Sequence, residues 1–136
     1  MADTRYIRVL RQAYLLELLG EAAHRQGSRK LRDGLASKWA AFEGTELEMQ
    51  HHLHQELQRV VGAWRPSGFA MRVAGGVGYL AGKLTPSLLG RIVKRVLDQH
   101  RYTRWAVQFS SHNPCLWQAL VEHELRQTDH FEGRKA

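Results

Sequence analysis

The chain has 136 residues, 43% of them hydrophobic, and a formal charge of +7 from 20 Lys and Arg against 13 Asp and Glu. This length fits one domain, residues 1–136, with a real core, and a lone cysteine, Cys115, excludes an intrachain disulfide framework. No run of about 18 uncharged apolar residues reads as a spanning helix. No stretch alternates apolar and polar residues with β-branched enrichment, so strands are not expected.

The first helix is predicted from an N-cap at Asp3 or Thr4 to Gly27. Its periodic positions, Leu10, Ala13, Tyr14, Glu17, Leu18, Glu21 and His24, place Glu17 among apolar neighbours. A long second helix is predicted from Arg29 to Trp64, with a break at Gly34. It carries the stripe Leu35, Trp39, Phe42, Glu46, Met49, Leu53, Leu57, Val60 and Trp64, and it stops before Arg65-Pro66. Next comes an apolar helix rich in small residues, from Gly68 to Gly82. Glycine costs about 1 kcal/mol against alanine inside a helix, so the presence of these glycines points to close backbone packing, to a contact between copies, or to a lipid surface. A basic third bundle helix is expected from Ser87 to Gln108, then a loop at Ser110 to Pro114, then a last helix from Cys115 to His130. The sum is an all-α bundle of four main helices with an added glycine-rich apolar helix.

Carboxylate-bridged metal sites in such bundles take one Glu from each of two helices and Glu-x-x-His from each of two others. The i, i+3 spacing sets carboxylate and imidazole on one face, one turn apart. Glu48-Met49-Gln50-His51 has this form, although Glu48 and His51 lie off the main apolar stripe, and Glu43 and Glu46 compete with them. The bland alternative is a solvated helix face in a chain with eight histidines. Glu17 is a second candidate, because a buried Glu needs a metal, a partner or a raised pKa. Glu21 and His24 form a further Glu-x-x-His, so Glu17 and Glu21 stay as alternatives. Asp98 and Glu124 complete a set of four carboxylates. Gln127 stands where a His would follow Glu124, and His123 and His130 are near but at the wrong spacing.

The order of these pieces resembles the demethoxyubiquinone hydroxylase family. Glu48 and His51 are followed by Arg65-Pro66 and then by Gly68-Phe69 through Gly82-Lys83, while Glu17 precedes Gly20. The resemblance implies a ferritin-like four-helix fold holding two irons, with ligands Glu17, Glu48, His51, Asp98, Glu124 and Gln127. Leu97-Asp98-Gln99 shortens the expected third-helix Glu by one methylene, and Gln127 replaces the expected His. The implied activity is an oxygen-dependent monooxygenase that hydroxylates a membrane-borne quinone or related lipid. Phe69, Gly75, Gly78, Tyr79 and Gly82 would meet that substrate or the membrane.

From the residues alone, two classes stand beside each other. One is the metal-dependent hydroxylase. The other is a catalytically silent helical module that binds lipid, quinone or a protein partner, with a homo-oligomer as a further option. Nucleic acid is disfavoured, because the basic residues are spread and no helix-turn-helix pattern is present. Met1 to Arg5 lead into an amphipathic segment without a secretory apolar region, so the expected address is cytoplasmic and peripheral on the membrane.

Overall fold

A computed structural model describes residues 3–29 and 33–131; the side chains of 28, 33–39, 86, 87, 90, 130 and 131 are outside the description. The early members of the second-helix stripe, Leu35 and Trp39, and the Gly34 break therefore lie outside the described side chains, as does His130. The fold is an all-α helical bundle, with no strand among the described residues. The chain divides into two compact units, Met1–Leu84 and Thr85–Ala136.

The first unit contains α1 (Thr4–Ser28), α2 (Asp33–Val61) and α3 (Gly68–Gly82), and α1 packs against both of the others. α1 starts where the Asp3 carboxylate accepts hydrogen bonds from the amides of Arg5 and Tyr6, which satisfies two of the donors that a helix start leaves open. α2 ends at Gly62, whose φ of +96° is the left-handed conformation that glycine adopts without a side-chain penalty. Tyr6, Leu10 and Ala13 from α1 are buried, as are Met49, Leu53 and Leu57 from α2. Each buried large apolar side chain contributes roughly 1.5–3 kcal/mol. One polar group sits in this core with its bonds made. Tyr6 donates its hydroxyl to Glu56, and the Arg59 guanidinium forks onto both Glu56 oxygens at 2.6 and 2.8 Å.

α3 explains the glycine-rich segment. Ala74, Gly78 and Gly82 recur every fourth residue and are buried. A Cβ at Gly78 would overlap the Leu19 carbonyl oxygen and the Ala22 side chain, and one at Gly82 would overlap Gln26 and the Ala23 carbonyl. These glycines let α3 lie directly on the backbone of α1. Gly75 and Gly76 meet nothing. The opposite face, with Phe69, Val73, Val77 and Leu80, is exposed.

The second unit contains α4 (Pro86–Leu97), α5 (Arg101–Phe109), a 3₁₀ turn (Ser110–His112) and α6 (Pro114–Phe131), with α6 against both α4 and α5. Its buried apolar residues are Leu89, Leu97, Tyr102, Phe109, Leu116, Trp117 and Leu120. The single basic helix expected from Ser87 to Gln108 is two helices. Asp98 and Gln99 form a turn, and His100 takes a left-handed conformation with φ 49° and ψ 48°. No glycine or proline marks the break. α5 instead receives its cap from across the unit. Glu124 of α6 accepts from the amides of Tyr102 and Thr103 at 3.0 and 3.3 Å and from the Thr103 hydroxyl at 2.7 Å.

Among the described residues, no helix is long and apolar enough to cross a membrane.

Candidate metal centre

Acidic and imidazole side chains converge where α1 meets α2 in the first unit. Glu17, Glu21 and His24 on α1 are buried, and so are Glu46 and Gln50 on α2. Periodicity accounts for this. Residues 17, 21 and 24 recur at i, i+4 and i+7 along the inward face of α1, in line with Leu10, Ala13 and Tyr14. On α2, Glu46 lies in register with Met49, Leu53 and Leu57.

Glu46 lies against α1 at a place cleared for it. A Cβ at Gly20 would occupy the space of the Glu46 carboxylate. Glu17 and Glu46 each offer an oxygen atom within 4.8 Å of the other. His24 Nδ1 lies 2.9 Å from the Gly20 carbonyl and also contacts Glu46 Oε1. Both neighbours are acceptors, so Nδ1 carries the hydrogen and Nε2 holds the lone pair. The ring stacks on Phe42 with centroids 5.8 Å apart. Burial holds the His24 imidazole below its ordinary pKa; the bond to Gly20 and the carboxylates of Glu17 and Glu43 pull the other way. A neutral imidazole is the form that binds metal.

Negative charge is in excess here. Burial raises the Glu21 pKa, the Arg25 guanidinium at 3.0 Å opposes that rise, and Glu43 adds to it. Glu43 Oε2 is buried with no hydrogen-bond partner among the described residues, as is Gln50 Nε2. Carboxylates gathered out of water repel one another, and each costs several kcal/mol to desolvate unless a cation or a proton compensates. In the second unit, His123 is buried on α6. Within the first unit, the buried carboxylates of Glu17 and Glu46 are donors that could hold a metal ion.

The structure brings together only part of the ligand set that the resemblance implied. Glu17 is in the cluster. Glu48 and His51 are on the outer side of α2: the Glu48 side chain is 65% exposed and its nearest basic partner is His52 at 4.0 Å. Two residues along the helix, Glu46 is 2% exposed. Two residues of α-helix, at about 100° each, rotate Glu46 and Glu48 apart by about 200°, so both cannot face the core, and the apolar stripe decides for Glu46. Asp98 is exposed at the end of α4 and paired with Lys94 at 3.0 Å. Glu124 is buried, but as the cap of α5. Gln127 is buried on the same face of α6. Of the residues expected at substrate or membrane, Phe69 and Tyr79 are exposed, with the Lys83 ammonium 4.7 Å from the Tyr79 ring. Gly75 is half-buried, and Gly78 and Gly82 face α1.

Gly20 carries a signal that the motif spacing lacks, as a helix-interior glycine close to Glu17 and Glu21.

No family model matches the chain, and no curated protein or solved structure matches it.

Proposed function

We propose that this protein binds a transition metal at the Glu17–Glu46 cluster and that the metal is iron serving an oxygen-dependent hydroxylation. One observation carries the metal reading: two carboxylates lie side by side in the interior, one of them in a space that a glycine leaves open. The donor chemistry fits iron, which takes carboxylate and imidazole together. Glu17 and Glu46 would hold the ion, with Glu21 and Glu43 adjacent. His24 would orient Glu46 through its Nδ1 hydrogen, which is the role of an outer hydrogen-bond partner around a metal. Iron bound there supplies dioxygen activation, which carboxylate and imidazole side chains lack. The surrounding Tyr14, Met49 and Phe42 keep water from the carboxylates.

The choice of substrate rests on the resemblance to the demethoxyubiquinone hydroxylases, which implies a long-tailed quinone or a related lipid. The exposed apolar face of α3 gives such a tail a surface to approach. The competing reading is a silent helical module that kept the fold and binds lipid or a protein.

Metal analysis after anaerobic loading with iron(II) tests the proposal. Iron retained by the native protein and lost in Glu17→Ala and in Glu46→Ala supports it. Glu48→Ala/His51→Ala serves as the control and should retain iron. Retention that disappears in the control but survives in Glu46→Ala would return the site to the outer face of α2. No retention at all would leave the silent module standing.

A further inference from the structure

Between residues 57 and 97 there are seven Lys and Arg and no Asp or Glu, so this stretch alone carries the formal excess of +7 and the rest of the chain is balanced. α4 lies within it. The helix is well started, with the Thr85 hydroxyl accepting from the Leu88 amide and a proline in the first turn. Its inner side buries Leu89 and Leu97. Its outer side carries a second apolar stripe at i, i+4 and i+8: Leu88, Ile92 and Val96, exposed by 44, 43 and 41%. Arg91 and Arg95 are exposed and border this stripe on one side. Lys94 is turned toward Asp98. Arg91 and Arg95 make no ion pair among the described residues.

An exposed apolar stripe edged by cations, on a helix whose other side is anchored, is the pattern of a helix lying in a lipid interface. We propose that the outer face of α4 binds the surface of an anionic bilayer, with Leu88, Ile92 and Val96 in the acyl boundary and Arg91 and Arg95 on lipid phosphates. Charge complementarity selects this occupant. A second copy would bring Arg91 and Arg95 against their own equivalents in a two-fold contact. Nucleic acid would satisfy the arginines but leave three aliphatic side chains in water. The inference is independent of the metal centre.

Vesicle co-sedimentation of the full chain tests it, with phosphatidylcholine vesicles that contain or lack phosphatidylglycerol. To remove any contribution from α3, Phe69→Asp/Leu80→Asp forms the background. In that background, binding persists and requires phosphatidylglycerol. Arg91→Gln/Arg95→Gln weakens it by about fivefold per cation, since each basic residue near such a surface is worth about 1 kcal/mol. Ile92→Asp abolishes it with an unchanged circular dichroism spectrum, and if that variant unfolds, the arginine pair alone decides. Equal affinity for both vesicles, no change in Arg91→Gln/Arg95→Gln, or complete loss in the α3 background overturns the proposal. So does a dimer in sedimentation velocity that Ile92→Asp dissolves, which would assign the stripe to a second copy.

Discussion

Replacing Gly20 with alanine sets two effects of known size against each other. Gly20 lies inside α1, and alanine there improves helix propensity by about 1 kcal/mol. Its Cβ, however, would occupy the position of the Glu46 carboxylate. Glu46 is buried and must swing away, which breaks its contact with His24 Nδ1. A hydrogen bond to a charged group contributes about 1.5–3 kcal/mol. The net expectation is a destabilisation of about 0.5–2 kcal/mol, read as a lower urea midpoint by circular dichroism. Iron affinity should fall by about tenfold or more, because a displaced carboxylate gives up at least about 1.4 kcal/mol of binding. In a Glu46→Ala background the obstacle is gone, and Gly20→Ala should stabilise by its full helix-propensity gain. The difference between the two backgrounds measures the coupling directly. If Gly20→Ala stabilises by about 1 kcal/mol in both, Glu46 does not occupy that space, and the metal centre loses its main support.

The glycines of α3 should split by face. Gly78→Ala and Gly82→Ala force the backbones apart, with an overpacking cost of about 1–3 kcal/mol, whereas Gly75→Ala and Gly76→Ala gain about 1 kcal/mol each; urea titrations with opposite signs check this. Glu124→Ala removes the cap of α5 and should cost about 1–2 kcal/mol while iron retention stays unchanged, which separates a capping role from a ligand role. Asp98→Asn should leave iron retention unaltered, because this carboxylate pairs with Lys94 at the surface. Tyr6→Phe leaves Glu56 with Arg59 alone and should lower stability by about 1.5–3 kcal/mol, as measured by thermal or urea unfolding.

The all-α class was legible because nothing in the sequence has a two-residue period. The stripe on α2 was also legible, and it already contained Glu46. The Glu-x-x-His at Glu48 and His51 falls on the exposed side of α2, because a short motif carries no information on which face is buried. The longer period does, since Met49, Leu53 and Leu57 fix the rotation of α2. The burial of Glu17 was legible by the same argument. The break between α4 and α5 was not legible. Asp98-Gln99-His100 contains neither glycine nor proline, and the group that stabilises the new helix start, Glu124, is more than twenty residues away. A cap supplied through tertiary structure leaves no local trace. Gly78 and Gly82 were expected at substrate or membrane, with close packing weighed for the segment as a whole, and they lie against α1; sequence could not show which neighbour the glycines meet.

The close seating of α3 on α1 has a consequence for motion. Its buried face consists of Ala74, Gly78 and Gly82, which place almost no hydrocarbon out of water. α1 and α2 pack together and bury Leu10, Leu53 and Leu57. The free energy that holds a segment in place follows the apolar surface it buries, so segments of one domain open independently and at different cost. α3 should therefore detach before the α1–α2 pair separates. In native-state hydrogen exchange, amides of Gly68–Gly82 are expected to exchange well ahead of those around Leu10 and Leu53, through an opening that leaves the carboxylate pair between α1 and α2 intact.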